Sequence, residues 1–196
     1  MSKFLSLTLL AITLGGAVTA RAETKTAIFA GGCFWCMQEP FDQVKGVTRT
    51  VVGYTGGSKE DANYPAVSGH KTQHREAIEV TYDPAQISYE KLLDVFWHNI
   101  NPTQADGQFH DIGLSYQTAI YFRNNEEKKL AETSKEKLAK SGMFDRPIVT
   151  EILSALPFYP AEDYHQKYYL KNPAAYEAYH VGSGRVSYLE KIWGKP

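Results

Sequence analysis

Hydrophobic residues recur with two different periods along the chain from residue 26 onward. A period of two predicts strands, and recurrence every three or four residues predicts helices. We therefore expect strands over residues 26–30, 47–54, 74–82, 116–122 and 147–153, and helices over 34–44, 89–100, 125–142 and 161–171. The polar stretches 58–73 and 101–113 are predicted to be loops, and the chain from Val181 to Gly184 leads into an irregular end.

Capping residues and helix breakers set the ends of several of these elements. Ser88 is a good N-cap for the helix that follows it, and Asn124 or Asn125 fills the same role for the next helix. Pro40 removes a backbone donor inside the first helix, so that this helix must kink or end there.

The strand predicted over residues 74–82 carries a carboxylate on its inward face. His74, Glu76, Ile78, Val80 and Tyr82 share this face, because side chains alternate along a strand. Two aliphatic residues and one tyrosine mark the face as the buried one. Glu76 is therefore expected at the inner edge of the sheet, an unusual place for a carboxylate.

Strands and helices largely alternate in this order, and no linker is long enough to separate two domains. The order predicts a single domain of the α/β (α+β) sandwich class, in which a mixed central sheet with a ferredoxin-like core is covered by helices. The chain has 196 residues, 43% of them hydrophobic, which is enough to bury a sizeable core.

The first 22 residues have the features of a secretory signal peptide. Lys3 precedes an apolar run over residues 4–18, and Ala20-Arg21-Ala22 has the small–x–small pattern of a cleavage site. This run is short for a membrane span, and no later segment approaches the roughly 20 apolar residues that a span requires. We expect an exported, periplasmic protein whose mature domain covers residues 23–196 and has no membrane span.

Charge and composition exclude one class of partner. The chain has 21 Lys and Arg against 22 Asp and Glu, with the two signs interspersed, whereas nucleic-acid-binding domains usually carry a basic patch. No nucleic acid is therefore expected as a partner. The 13 tyrosines offer aromatic faces and hydroxyl donors to a core or a cleft.

The two cysteines of the chain, Cys33 and Cys36, follow two glycines at the predicted junction of a strand and a helix. Unpaired N–H groups and the helix dipole at such a junction favour a thiolate, the reactive form of cysteine. Residues at i and i+3 of a helix lie about 5–6 Å apart, so a small adjustment would close a disulfide. Because so short a loop adds little stability, a redox-active pair is favoured over an inert disulfide.

Two metal-based interpretations of the same motif are disfavoured. Haem attachment needs a histidine directly after the second cysteine, where this chain has Met37. A zinc site needs two more ligands, and the six histidines include no second pair with suitable spacing. No metal or other bound cofactor is expected.

Two aromatic residues, Phe34 and Trp35, lie between the cysteines. Either one alone could be an anchor in the core. Two of them beside a nucleophile favour the wall of a substrate pocket that receives a small apolar group.

Several separated motifs resemble those of the peptide methionine sulfoxide reductase A family over nearly the whole mature chain. The clearest is Gly32-Cys33-Phe34-Trp35. The others occur in the same order and spacing as in the family: residues 52–57 (VGYTGG), Tyr64 with 67–69 (VSG), 74–77 (HREA), 82–84 (YDP), 96–97 (FW) and 160–166 (PAEDYHQ). This family reduces methionine S-sulfoxide, free or in proteins, to methionine, which repairs oxidised proteins.

The resemblance implies a role for each residue of the site. Cys33 would attack the sulfoxide sulfur. Glu76, Tyr64 and Tyr116 would protonate or hydrogen-bond its oxygen, and a buried carboxyl such as Glu76 can stay protonated and act as an acid. Asp111 would orient the site or the amide of the substrate, although a role as a turn residue is an open alternative for it.

The resemblance also implies how the enzyme is recycled. Reduction of the substrate leaves Cys33 as a sulfenic acid, and many family members resolve it with cysteines in a C-terminal tail, where this chain has none. Cys36 would instead attack it and form a disulfide. A thioredoxin-like protein or another dithiol must then reopen the disulfide, so the implied partners are oxidised proteins or peptides and this reductant.

The chain departs from the family's pattern at a few positions. Leu114, Ser115, Gln117 and Thr118 replace the usual Thr, Gln, Arg and Ser around Tyr116, and Gln73 and Arg75 replace small residues beside His74. We expect these changes to affect the preference for peptides more than the reaction.

Two other functions fit parts of the sequence. An exported thiol–disulfide oxidoreductase of thioredoxin-like fold also has C-x-x-C at a helix start, and Pro147 could be its cis-proline. That function leaves Glu76 and the aromatic pair without a role. A secreted binding module with a tyrosine-rich contact surface and an inert disulfide is the non-enzymatic alternative.

Overall fold

The computed structural model describes residues 23–194, so the predicted signal peptide lies outside the described residues. In chain order, the strands are β1 (Lys25–Ala30), β2 (Val47–Thr55), β3 (Arg75–Tyr82), β4 (Gly107–Gln108), β5 (Asp111–Ile112), β6 (Ala119–Phe122), β7 (Glu151–Ser154) and β8 (Phe158–Pro160). The helices are α1 (Phe34–Asp42), α2 (Tyr64–Ser68), α3 (Tyr89–Trp97), α4 (Asn125–Lys140), α5 (Tyr168–Lys171), α6 (Pro173–Gly182) and α7 (Arg185–Trp193), and Leu114–Tyr116 forms a 3₁₀ helix.

Six strands form one mixed sheet in the order β7-β6-β1-β3-β2-β8. The four central strands, in the order β6-β1-β3-β2, pair antiparallel, which is the arrangement of a ferredoxin-like core. Edge strand β7 runs parallel to β6, as expected when a helix such as α4 connects two neighbouring strands. β4 and β5 form a separate two-stranded hairpin. The predicted fold class is confirmed.

The main core lies between the sheet and three helices. Phe29 of β1 and Ile78 of β3 pack against side chains of α1, α3 and α4. The Phe29 ring stacks on Phe41 and on Phe96, with ring centres 5.3 Å apart in each case. Offset aromatic stacking of this kind adds to the stabilisation from burial itself, so α1 and α3 are fixed on the strand that leads to Cys33.

The opposite face of the sheet has a smaller apolar cluster. Ile28 and Ala30 of β1 point to this face and pack with Tyr121, and Phe158 covers them in part. None of the helices in residues 23–194 combines the length and the hydrophobicity needed to cross a membrane.

Ser88 and Asn124 cap α3 and α4 as predicted, each through its side-chain oxygen. Two other predictions, a loop over residues 58–73 and a strand that begins at Tyr116, are corrected by the structure. The stretch predicted to be a loop over residues 58–73 contains α2, which Asn63 caps by accepting from the Ala66 N–H at 3.1 Å. Tyr116 is in the 3₁₀ helix rather than in a strand, and β6 begins only at Ala119.

The helix predicted over residues 161–171 is mostly wrong, because only its last turn, α5, is helical. The Gln166 side chain accepts from the Val52 N–H at 3.0 Å and donates to the Val52 carbonyl at 2.8 Å. Side-chain bonds to the backbone compete with helix formation. Lys167 then turns the chain with a φ of 54°.

The predicted irregular end of the chain is also wrong. Gly182 ends α6, and Gly184, with a φ of +83°, turns the chain directly into α7. Glycine readily adopts this left-handed conformation, so the glycines that suggested a loose tail form a tight connection between two helices. Tyr176 of α6 packs against both cysteines, and Arg185 of α7 donates to the Gly31 carbonyl beside them.

Candidate active site

The turn between β1 and α1 places both cysteines at one end of the sheet. Gly32 has a φ of +82°, a conformation that favours glycine. A Cβ on Gly31 would lie only 2.5 Å from the Met37 sulfur, so a larger residue there would displace the Met37 side chain. Cys33 is the N-cap of α1, and the Cys36 N–H donates to the Cys33 carbonyl at 3.2 Å. The predicted position of the pair at a strand-to-helix junction is confirmed.

Both thiols are free and buried, with Cys33 6% and Cys36 2% exposed. Burial raises the pKa of Cys33 well above its usual value, and its hydrogen bond to Cys36 raises it further. The hydrogen bond from Cys33 lowers the pKa of Cys36, and the positive charge of Arg185 adds to this effect against the opposing effect of burial. Burial therefore opposes the ionisation of Cys33 that a helix start would favour, whereas the hydrogen bond between the two sulfurs favours a thiolate at Cys36.

Glu76, the second residue of β3, is 2% exposed. One of its carboxyl oxygens accepts from the Phe34 N–H at 3.0 Å. Burial raises the pKa of Glu76 well above its usual value, and the nearby Cys33 adds to this effect, while the hydrogen bond from Phe34 partly offsets it. The predicted burial of this carboxyl at the inner edge of the sheet is confirmed, and its protonated form is favoured.

A cavity of about 70 Å³ lies beside Cys33. It is lined by Cys33, Phe34, Trp35, Tyr64, Glu76, Asp111, Tyr116 and Tyr179. The structure thus brings together all of the predicted site residues except Cys36, which lies in a buried cluster with Cys33 and Tyr176.

The two tyrosines predicted to bind oxygen both remain protonated. Burial, together with the charges of Glu76 and Cys33, raises the pKa of Tyr64 to about 12. Burial and the charges of Glu76 and Asp111 also raise the pKa of Tyr116. Both residues are therefore hydroxyl donors at physiological pH.

Side-chain hydrogen bonds hold these two tyrosines in place. The Tyr64 N–H donates to Glu162 at 2.9 Å, which fixes the start of α2. Ser115, next to Tyr116, donates its hydroxyl to the Val67 carbonyl of α2 at 3.0 Å. The two segments that carry the tyrosines are thus bonded to each other.

Trp35 is held by three aromatic neighbours. Its ring stacks on Tyr168 at 3.8 Å between centres, and Tyr179 meets it edge-on at 5.9 Å. The indole N–H donates to Nδ1 of His165 at 3.0 Å. Burial lowers the pKa of His165, which keeps this nitrogen available as an acceptor.

Phe34 serves both purposes that the sequence suggested for it. It is almost fully buried and packs against Val52, Tyr54 and Val67, as a core anchor would. It also lines the cavity together with Trp35. The cavity wall is therefore part of the packed core, which makes its shape rigid.

Tyr179 of α6 is a site residue that the sequence analysis missed. Its hydroxyl donates to the carboxylate of Asp111, so Asp111 is a bonded member of the site rather than a free turn residue. Burial and the charge of Cys33 raise the pKa of Tyr179. The helical spacing of Tyr176 and Tyr179 was the available signal, and it was overlooked because this part of the chain was assigned no helix.

Two residues that depart from the family's pattern contact each other outside this cavity. The Arg75 guanidinium donates to the side-chain oxygen of Gln117 at 3.4 Å and to the carboxylate of Glu151. Arg75 neighbours Glu76 along β3 and therefore points to the other face of the sheet. These residues line a separate pocket with Leu114.

The cavity combines a sulfur nucleophile, an aromatic wall and three groups that can donate a hydrogen bond. Such a site can bind a polar oxygen and an apolar substituent carried by the same atom, and can supply a proton as the bond to that oxygen breaks. Within residues 23–194, no group of three or more His, Cys, Asp or Glu side chains is placed to hold a metal ion.

Three comparisons with known proteins agree with this chemistry. A family model described as peptide methionine sulfoxide reductase matches residues 25–196. Peptide methionine sulfoxide reductase MsrA of Bacillus pumilus is 56% identical over 171 residues, which cover 87% of this chain and 96% of that protein.

Two solved structures are also similar. Mxr1 from Saccharomyces cerevisiae in reduced form has a TM-score of 0.71 and 30% identity, and the match covers 79% of this chain and 89% of that one. Methionine sulfoxide reductase A of Corynebacterium diphtheriae has a TM-score of 0.67 and 34% identity, with 76% of each chain covered.

Replacing Glu76 with glutamine should stabilise the fold at about pH 8. The folded pKa of Glu76 is raised above the unfolded value, so its contribution to stability is fully present below the unfolded pKa and is lost as the pH rises through the folded pKa. Glutamine does not titrate and can still accept from the Phe34 N–H. Urea titrations should show a gain of at least about 1 kcal/mol at about pH 8 and little gain at about pH 4.

The matched control is Glu79→Gln, on the same strand but half-buried and paired with Arg123. It should show no gain at about pH 8. A difference between Glu76→Gln and wild type that is the same at both pH values would contradict a raised pKa for Glu76.

Proposed function

This chain belongs to the peptide methionine sulfoxide reductase family, and from that premise we propose which of its residues carry out the reduction of methionine S-sulfoxide to methionine. The observation that carries the assignment is the cavity beside Cys33, where a thiol, a buried carboxyl and two tyrosines converge. The thioredoxin-like and binding-module alternatives are set aside, because the family match covers residues 25–196.

The substrate is oriented by the two kinds of wall in the cavity. Phe34 and Trp35 receive the methyl group of the sulfoxide, since apolar surface is favoured against apolar surface. Tyr64, Tyr116 and the protonated Glu76 face the oxygen. A sulfoxide placed in this way presents its sulfur to Cys33.

In the first step, the Cys33 sulfur attacks the sulfoxide sulfur while Glu76 protonates the oxygen. This attack forms a sulfur–sulfur bond. The hydroxyl group then moves from the substrate sulfur to the Cys33 sulfur as the sulfur–sulfur bond breaks, so that methionine leaves with the electron pair of that bond and Cys33 becomes a sulfenic acid. The proton of the Cys33 thiol replaces the one that Glu76 gave up, so no net proton is consumed. Methionine sulfoxide gains two electrons and the Cys33 sulfur loses two.

The raised pKa values of Cys33 and Glu76 suit this exchange. Burial raises the pKa of both groups, and the charge of Cys33 raises that of Glu76 further, so the pair keeps its protons until an acceptor enters. The sulfoxide oxygen is such an acceptor. Cys33 therefore becomes reactive when substrate binds, and a Cys33 thiolate is not left open to oxidation beforehand.

In the second step, Cys36 resolves the sulfenic acid. Its sulfur attacks the Cys33 sulfur, a disulfide forms, and the hydroxyl group leaves with a proton as water. Cys33 and Cys36 are one helical turn apart, so only a local adjustment at the start of α1 is needed.

An external dithiol then reopens the disulfide and is itself oxidised, which completes the cycle. We propose a reductant of the thioredoxin type. A solved structure of Mxr1 holds that protein in complex with Trx2. The thiol chemistry of the disulfide in this chain supports the same class of reductant.

Replacing each cysteine with serine separates the two steps. Cys33→Ser should abolish reduction of a methionine S-sulfoxide peptide, because the nucleophile is gone. Cys36→Ser should reduce about one equivalent per enzyme and stop as a sulfenic acid, which dimedone traps on Cys33. The assay measures methionine released with and without dithiothreitol, and full turnover by Cys33→Ser would contradict the assignment.

Glu76 should matter to the first step through its proton. Glu76→Ala should lower the rate of sulfoxide reduction by about 10²-fold or more, the range typical of a lost general acid. Glu76→Gln should fall between wild type and the alanine variant, because its amide still donates a hydrogen bond. Single-turnover rates measure this, and equal rates for wild type and Glu76→Ala would remove Glu76 from the acid role.

We further propose that the protein is exported to the periplasm and loses residues 1–22. The proposal is supported by the apolar run after Lys3 and the Ala20-Arg21-Ala22 pattern, and by the family match, which begins at residue 25. The mass of the protein recovered from a periplasmic extract should correspond to a chain that starts at Glu23. A cytoplasmic protein that retains residues 1–22 would contradict export.

A further inference from the structure

Arg185, the first residue of α7, is a buried cation that forms no ion pair with a carboxylate anywhere in residues 23–194. Its side chain is 1% exposed. The guanidinium donates to neutral acceptors, the carbonyls of Asn99 and of Gly31, the latter at 3.0 Å. It also lies 4.5 Å from the centre of the Phe109 ring. A buried charge without a counter-charge is costly.

The guanidinium lies directly against the cysteine turn. Besides the bond to Gly31, it contacts the Met37 sulfur at 3.7 Å, and a Cβ on Gly32 would lie 3.2 Å from it. Gly31 and Gly32 precede the cysteine pair and Met37 follows it. The one guanidinium therefore contacts residues on both sides of the four-residue segment, 33–36, that carries the chemistry.

We propose that Arg185 is the counter-charge of a Cys36 thiolate and prepares this sulfur to resolve the Cys33 sulfenic acid. The inference rests on the proposed function and deepens its second step. The Cys36 thiolate attacks the Cys33 sulfur, the sulfur–sulfur bond forms, and the sulfur–oxygen bond breaks as hydroxide takes up a proton to become water. Arg185 touches none of the reacting atoms, so it is a positioning residue that acts through Cys36.

The other charged groups around Cys36 do not favour its thiolate. Asp111 and Glu76 are acids and raise the pKa of Cys36, whereas Arg185 lowers it. Cys33 donates a hydrogen bond to Cys36, which also helps the thiolate.

Two ionisable residues near Arg185, Glu39 of α1 and His180 of α6, leave it as the positive charge beside Cys36. Tyr176 of α6 donates its hydroxyl to Glu39 at 2.6 Å, which gives Glu39 a partner other than Arg185. Burial and the charge of Arg185 lower the pKa of His180, so this histidine is held neutral.

The arrangement divides two roles between two adjacent sulfurs. Cys33 keeps its proton until the sulfoxide oxygen can take one, whereas Cys36 is ready to attack as soon as the sulfenic acid exists. Fast resolution limits the time during which a sulfenic acid could be oxidised irreversibly.

The test measures the titration of Cys36 alone. In a Cys33→Ser protein, serine keeps a hydroxyl donor beside Cys36, and the absorbance of the thiolate at about 240 nm reports its ionisation without needing access to the buried sulfur. Adding Arg185→Met should raise the pKa of Cys36 by about one unit or more. Adding Arg185→Lys, which keeps the charge, should restore most of the shift.

The matched control is Arg123→Met, which removes a surface arginine that pairs with Glu79. It should leave the titration of Cys36 unchanged. An unchanged pKa of Cys36 in the folded Arg185→Met protein would overturn the proposal.

A second measurement keeps Arg185 in place, in case its replacement unfolds the chain. The folded pKa of Cys36 is lowered, so its contribution to stability is present above the unfolded pKa and is lost as the pH falls through the folded pKa. In the Cys33→Ser background, Cys36→Ser should therefore cost more stability at about pH 9.5 than at about pH 6. A cost that does not depend on pH would overturn the proposal.

Activity distinguishes this inference from the proposed function. With native cysteines, Arg185→Met should still release about one equivalent of methionine, but disulfide formation should slow by about tenfold for each unit by which the pKa of Cys36 rises above the assay pH. If wild type reduces no sulfoxide, the proposed function fails while the titration result stands. If wild type reduces sulfoxide and resolution is equally fast in Arg185→Met, the role of Arg185 fails alone.

Discussion

Burial of ionisable groups at one end of the sheet is the constraint on which the rest of the site depends. Two thiols and a carboxyl are removed from water there, and each negative charge in such a place is costly unless a partner compensates it. The three groups differ in how far their charged forms are compensated. Burial keeps Cys33 and Glu76 protonated, whereas Cys36 has a hydrogen bond from Cys33 and the charge of Arg185. The order of the chemical steps follows from this difference.

The irregular segments of the chain keep this end of the sheet in place. Glu162 accepts from both the Tyr54 hydroxyl and the Tyr64 N–H, and His165 accepts from Trp35. Gln166 then bonds to the backbone of β2. Glu162, His165 and Gln166, which the sequence predicted to be helical, thus each form hydrogen bonds to the site or to β2 beside it. Such support is what holds reacting groups within the small tolerances that catalysis requires.

The sequence predicts well those features that depend on local pattern. The central strands and the capped helices α3 and α4 follow from periodicity and capping residues, and alternation along β3 was enough to place Glu76 inside. Tyr116 and the 161–167 stretch were assigned wrongly because long-range hydrogen bonds, from Ser115 and from Gln166, override local propensity. Arg185 could not be placed at all, because its role depends on how Gly184 turns α7 back onto the cysteines, whereas the helical spacing of Tyr176 and Tyr179 was a signal that the sequence did offer.

The central claim is that the oxygen is taken up at Cys33 and that Cys36 alone resolves it. The most direct measurement is mass spectrometry of the wild-type protein after one equivalent of a methionine S-sulfoxide peptide, without reductant. Digestion with trypsin releases residues 26–45 as one peptide with both cysteines. The account predicts a peptide lighter by two hydrogens, with an internal Cys33–Cys36 disulfide, in a monomeric chain. Oxygen retained on Cys36, or a disulfide between two chains, would contradict it.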